Sequence, residues 1–160
     1  MIEPGQQSDG RFNFSDLMPT ALALAGAADK LPKDRYIDGV DQAAFLLAPA
    51  GLSHRKYHYY WLMQNFSAVR CGEYKMVLRS TSDEGEGHWG PGGFTGILQQ
   101  HTYPALYNLY LDPKENHNYM TRKLAYMEVF QLGIRQHLGS FKRFPPKTVM
   151  GLQASDPRAK

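Results

Sequence analysis

The sequence predicts an α+β fold, a small four-stranded antiparallel sheet packed against a long C-terminal amphipathic helix. Two patterns predict it. Met120, Leu124, Met127, Phe130, Ile134, Leu138 and Phe141 recur every three or four residues, one apolar stripe along a helix. In the stretch from Tyr74 to Arg79, residues Tyr74, Met76 and Leu78 alternate with Lys75, Val77 and Arg79, as a half-buried strand requires. The links between the β-like runs are short, so sequential strands pair as hairpins rather than through crossovers.

Taken in order, residues 1–15 are glycine-rich and polar and read as an extended lead-in. Asp16 is a fair N-cap, and Pro19 falls in the first turn, where its missing N–H does no harm. Leu17, Ala21, Leu22, Leu24 and Ala25 make the helix apolar nearly all round, and Gly26 is its C′ stop. A helix of this kind expects cover on several sides, and the neighbouring residues offer little. Residues 27–53 are a connector, with a turn at Ile37-Asp-Gly39 and a short helix over 42–47.

Lys56 to Met63, Ser67 to Cys71, Tyr74 to Arg79 and Leu106 to Leu111 are the four strands. Gly72-Glu73 joins the second and third, and a glycine in first place suggests a type II′ turn. Residues 80–96 read as a long loop, and Asp112-Pro113 closes the fourth strand. Asn118 or Thr121 caps the long helix; Gly133 costs it about 1 kcal/mol against alanine, so packing must hold it. Gly139 is its predicted end, and the tail beyond Pro145 is extended.

Composition narrows the function. The net charge is +3 with both signs mixed, and no run of five like charges occurs. That balance does not predict nucleic-acid binding. No stretch is apolar and long enough to span a membrane, and the first residues lack the pattern of a signal peptide. Ten Tyr, eight Phe and two Trp read as a ring-rich core and sheet, or else as a sugar- or aryl-binding surface.

Candidate chemistry is sparse. His54 and His58 are four apart in a region that reads as strand, which separates them too far for one ion. Asp83, Glu84 and Glu86 lack the ligand spacing of a calcium loop. Cys71 has no paired histidine. His88 and Trp89, between flexible glycines, are the candidates for the rim of a ligand pocket, with His101 at the far end of the loop. No catalytic residue, metal ligand or cofactor is assigned to this chain.

Five islands, in order, resemble the carboxyl-terminal portion of a sulfatase of the arylsulfatase-like branch. Ser15-Asp-Leu-Met-Pro-Thr-Ala-Leu-Ala-Leu-Ala-Gly26 is similar to the stretch that closes the large α/β domain of that family. Ile37-Asp-Gly39 with Ser53-His-Arg55 resembles the link that follows. Ala68-Val-Arg70 with Gly72-Glu-Tyr-Lys75 resembles a turn of the small sheet. Leu106-Tyr-Asn-Leu109 with Asp112-Pro-Lys-Glu115 is the most specific piece, and residues 141–146 fit the end of the branch.

The resemblance implies three parts. Residues 1–53 would be the tail of the α/β domain and its connector, 54–147 the sheet-plus-helix subdomain, and 148–160 an extended tail. It implies a sulfuric ester hydrolase with a formylglycine nucleophile made in a C-x-P-x-R motif and a bound Ca²⁺. That motif is absent from these residues, and Cys71 is followed by Gly-Glu-Tyr-Lys. The expectation is therefore a chain inactive by itself that supports the catalytic domain and shapes substrate access. Its partner would be that domain or, through uncovered apolar surface on the first helix and one sheet face, a second copy. A periplasmic or secreted location is implied by the family alone. The competing readings are a stand-alone glycan or aryl-ligand module using the loop 80–103 and Trp89, and a small hydrolase built on His54, His58 and His101.

Overall fold

Alternating large and small side chains divide the sheet into two unlike faces, and that difference organises the chain. The computed structural model describes residues 2, 4–48, 51–62, 64–82 and 97–145. Four strands, β1 (Tyr57–Leu62), β2 (Asn65–Cys71), β3 (Tyr74–Ser82) and β4 (Ile97–Asn108), form one antiparallel sheet in sequential order. Among the described residues, three α-helices accompany them: α1 (Leu17–Leu24), α2 (Ala43–Leu47) and α3 (Tyr126–Arg143). The predicted α+β architecture is therefore the one observed. Among the described residues, no helix is long and apolar enough to cross a membrane.

The register shows how each face is built. The aligned rows Tyr57, Cys71, Tyr74, Asn108 and Tyr59, Val69, Met76, Leu106 lie on one face. Their apolar members join Met120, Phe130, Met127 and Ile134 in the main core, beneath α3. The alternate rows His58, Arg70, Lys75, Tyr107 and Tyr60, Ala68, Val77, Ala105 lie on the other face. There Ala68, Val77 and Ala105 are buried, with Tyr60 and Tyr107 packed against them. The expectation of a bare sheet face is corrected accordingly, because small side chains flanked by tyrosine rings cover themselves.

A zipper joins β1 to α3. Tyr57 Oη donates to the Val129 carbonyl at 2.9 Å, Tyr59 Oη to the Gly133 carbonyl at 3.0 Å, and Trp61 Nε1 to His137 Nε2 at 3.2 Å. Two residues of strand advance about 6.7 Å, and four residues of helix advance about 6.0 Å. The strand's period of two thus meets the helix's period of four three times in succession.

Several boundaries differ from the expectation. The fourth strand begins at Ile97 and ends at Asn108, so 97–103 and 80–82 are strand rather than loop. The pairing shifts register between Val77 and Arg79, opposite the region containing Pro104. A proline cannot donate to a ladder and is tolerated on an edge strand such as β4. Residues 109–111 turn instead, because Asn108 Oδ1 accepts from the N–H groups of Tyr110 and Leu111.

The long helix begins later than its stripe suggests. Met120–Arg122 is a separate 3₁₀ turn, and Asn118 Oδ1 ties it to β4 by accepting from both Met120 N and Leu106 N. The buried face of α3 is Phe130, Gly133 and His137. Leu124 and Leu138, expected in that stripe, are exposed. Gly139 does not end the helix; it sits in open space on the exposed side, and α3 continues to Arg143.

Other local readings hold. Gly72 has φ 61° while Glu73 does not enter the left-handed region, as a type II′ hairpin requires. Gly26 has φ 67°, with Gly26 N–H bonded to the Ala23 carbonyl and Ala27 N–H to the Leu22 carbonyl, a Schellman stop for α1.

Candidate functional site

The segment before the sheet is fixed to it by buried polar groups. Asp16 was expected to cap α1, but its carboxylate serves a different purpose. Asn13 caps the 3₁₀ turn Phe14–Asp16, and Asp16 Oδ2 returns the bond by accepting from Asn13 N–H at 2.9 Å. Asp16 Oδ1 also accepts from Val40 N–H at 2.7 Å. Arg55, which follows the connector, grips the same carboxylate through both Nε and Nη2, and both side chains are buried. Its Nη2 further donates to the Asp38 carbonyl at 2.8 Å and to Ser15 Oγ at 3.1 Å.

Burial alone would raise the Asp16 pKa. The hydrogen bonds from Arg55, Val40 and Asn13 outweigh it and hold the carboxyl below its ordinary value. Close packing reinforces the joint, because a Cβ on Gly39 would stand 2.0 Å from the Ser15 carbonyl oxygen.

Gln42 forms a second node. Its N–H donates to Thr20 Oγ1 at 3.0 Å, its Oε1 accepts from His54 N–H at 2.9 Å, and its Nε2 donates to Ser53 Oγ at 3.0 Å. Gln42 is fully buried. Through these two nodes α1, the connector and the entry to β1 hold one arrangement.

What the nodes hold in place is an uncovered apolar surface. Phe14 is 88% exposed, Leu17 51%, Met18 45% and Leu24 46%. Only Pro19 and Thr20 of α1 are buried. This matches the expectation for a helix apolar nearly all round whose neighbours are too few to cover it.

The sequence candidates for chemistry do not converge. His88 and Trp89, the proposed rim, lie outside the described residues, as do Asp83, Glu84 and Glu86. His54 Nδ1 is 3.2 Å from the Asp41 carbonyl oxygen, and His58 Nδ1 is 3.3 Å from Asn13 Nδ2. His101 Nε2 is 3.0 Å from Ser80 Oγ. Each imidazole has its own local partner. Among the described residues, no three His, Cys, Asp or Glu side chains are grouped to hold a metal ion. Cys71 packs against the main core.

The motif that carried most of the resemblance has a structural job. Asp112 Oδ2 accepts from His117 N–H at 2.7 Å and closes the turn after β4. Glu115, at φ 57°, accepts from Lys75 Nζ at 2.6 Å and ties that turn to β3. Sequence reasoning missed Arg55 and His137 as key residues. Arg55 had one available signal, its place in the linking island Ser53-His-Arg55. His137 had none, since a polar residue beside an apolar stripe reads as a solvated position.

Comparison with known proteins decides the family. The profile described as "Putative sulfatase AslA C-terminal domain" matches residues 67–142, from within β2 almost to the end of α3. The crystal structure of PsFucS1 sulfatase from Pseudoalteromonas sp. superposes with a TM-score of 0.74 at 30% identity, covering 87% of this chain and 28% of that one. This chain carries a sulfatase carboxyl-terminal domain.

Curated relatives agree. An arylsulfatase of Hemicentrotus pulcherrimus is 30% identical over 131 residues, which are 70% of this chain and 23% of that protein. A steryl-sulfatase of Rattus norvegicus is 27% identical over 129 residues, 73% of this chain and 22% of that protein. The sulfatase domain thus spans less than a quarter of the length of either relative. Most of β2, with β3, β4, the Asp112–Glu115 turn and nearly all of α3, lies within the family profile, whereas β1 and its half of the zipper lie before it.

Proposed function

We propose that this chain is the carboxyl-terminal part of a sulfuric ester hydrolase, buttressing the catalytic domain and shaping access to substrate, and that it is not a catalyst by itself. The observation that carries the proposal is the pinned but uncovered apolar surface of α1. Phe14, Leu17, Met18 and Leu24 are exposed, yet the polar nodes at Asp16 and Gln42 fix where they stand. Groups held rigidly with no cover of their own suit a permanent neighbour. The occupant is the catalytic domain, since the sulfatase structure that superposes here holds most of its own chain outside the matched region.

On this reading the formylglycine and Ca²⁺ of the family belong to the catalytic domain. His88 and Trp89 are assigned to the rim of its pocket, where a ring can lie against a substrate. The test is hydrolysis of 4-nitrophenyl sulfate by the purified chain, with and without Ca²⁺. No turnover above buffer is expected. Sustained turnover that a single substitution within this chain abolishes would overturn the proposal.

A further inference from the structure

On the sheet face opposite α3, one row reads His58, Arg70, Lys75, Tyr107. Lys75 is neutralised by Glu115 at 2.6 Å. Arg70 is not. Its Nε donates to the Gly72 carbonyl at 3.0 Å, and Arg11, arriving from the N-terminal segment, donates from Nη1 to the same oxygen at 3.4 Å. Two full positive charges thus meet at one neutral carbonyl. Among the described residues, neither guanidinium pairs with a carboxylate, although Arg35, Arg55, Lys30 and Lys75 all do.

The surroundings suit a ligand. Arg11 is set by its backbone, whose carbonyl accepts from Ser53 Oγ at 2.5 Å. Tyr110 is 63% exposed, and the Arg70 guanidinium lies 6.0 Å from its ring centre. A guanidinium carries five N–H donors, and each of these two spends one on Gly72. The crowding is felt locally: burial, then the Arg70 charge, holds Arg11 below its ordinary pKa.

We propose that Arg11 and Arg70, with the Tyr110 ring beside them, form a binding site for a tetrahedral oxyanion, a sulfate or phosphate group. Such a group has oxygens on several sides and meets both forks at once, whereas one planar carboxylate suits one fork. The anion relieves the repulsion between the two cations and leaves the Gly72 bonds intact. A ring carrying the anion would lie against Tyr110. The site is independent of the role proposed above and uses no residue of the α1 surface.

Isothermal titration of the purified chain with sodium sulfate and sodium phosphate, at ionic strength matched with sodium chloride, tests it. Saturable binding is expected, weakened at least tenfold by Arg11→Gln and by Arg70→Gln and unchanged by Lys142→Gln at the end of α3. Far-UV circular dichroism checks that each variant folds; if Arg70→Gln does not, Arg11→Gln alone decides. Glucose 6-sulfate identifies the source. Tighter binding that Tyr110→Ala removes assigns a ring-borne sulfate, and affinity equal to that of inorganic sulfate assigns the free anion. Heat that does not saturate beyond chloride, or a folded Arg11→Gln that binds like the parent, would overturn the site.

Discussion

The Tyr57 ring occupies the space that a side chain on Gly133 would need. A Cβ placed on Gly133 would lie 2.6 Å from Tyr57 Cε1 and 2.8 Å from Cδ1. The ring cannot step aside, because it is buried and its hydroxyl is bonded to the Val129 carbonyl. Gly133→Ala therefore sets two effects against each other. Helix propensity gains about 1 kcal/mol, and overpacking a tight core costs about 1–3 kcal/mol. The second wins here, since the obstacle is a pinned ring and not a flexible chain end. A lower urea midpoint is expected for Gly133→Ala, and a higher one would refute the packing argument.

Asp16 and Arg55 make the second prediction. Removing one partner from a buried, hydrogen-bonded ion pair costs about 3–5 kcal/mol, because the other charge is left buried. Asp16→Asn should therefore loosen the N-terminal segment more than the sheet. Hydrogen exchange should speed up over residues 13–42 well before β2 and β3 are affected. The pH dependence follows from the lowered Asp16 pKa. The stabilisation is full above the unfolded value of about 3.9 and is lost as pH falls through the lower folded value. Uniform acceleration across the whole sheet in Asp16→Asn would show that the pair serves global stability instead.

How far the sequence could be read depends on whether the deciding signal is local. The hairpin at Gly72, the stop at Gly26 and the strand over 74–79 are each decided within a few residues, and each is found as read. The start of β4 was hidden, because Pro104 and the glycines before Ile97 speak against a strand while the edge position that excuses them is not local. The stripe had the right period, and its Met120, Met127, Phe130 and Ile134 do meet the core, but Leu124 and Leu138 fall on the exposed side. β1 lays its rings on Gly133 and His137, turning α3 so that a glycine and a histidine face inward. The Asp16–Arg55 pair spans 39 residues, so no local pattern announces it. His88 and Trp89 lie outside the described residues and remain a proposal.

His137 should make stability fall in mild acid. It stacks on Tyr59 with ring centres 3.9 Å apart, and burial pushes its pKa down, with Asp38 opposing only in part. Trp61 donates to Nε2, so that nitrogen must accept and the proton of the neutral ring sits on Nδ1. Protonation would place a hydrogen on Nε2 against the indole N–H. The unfolded ring takes up its proton near pH 6.5, the folded ring only at lower pH. The unfolded chain therefore binds more protons below 6.5, and stability declines as pH drops through that window. His58, also lowered by burial, acts in the same direction. Nδ1 of His137 is buried and, among the described residues, has no hydrogen-bond partner. His137→Phe should consequently keep or raise stability at pH 7 and flatten the slope between pH 5 and 6.5, measured by urea titration at each pH. An unchanged slope would mean that His137 takes up its proton over the same pH range in the folded and the unfolded chain.

The uncovered surface of α1 makes the last prediction. Phe14, Leu17 and Met18 stand exposed on a segment that Asp16 and Gln42 hold still. An apolar group exposed in both folded and unfolded chains contributes little to folding, so polar replacement should leave stability within about 0.5 kcal/mol. The same group contributes about 25 cal/mol for each Å² it buries against a partner. In the isolated chain that partner can only be another copy, at concentrations high enough for two α1 surfaces to meet. The parent should therefore show concentration-dependent association by sedimentation velocity. Phe14→Ser with Leu17→Gln should sediment as a monomer and melt at an unchanged temperature. A parent that stays monomeric at every concentration would show that these side chains are too few, or too scattered, to form a docking surface.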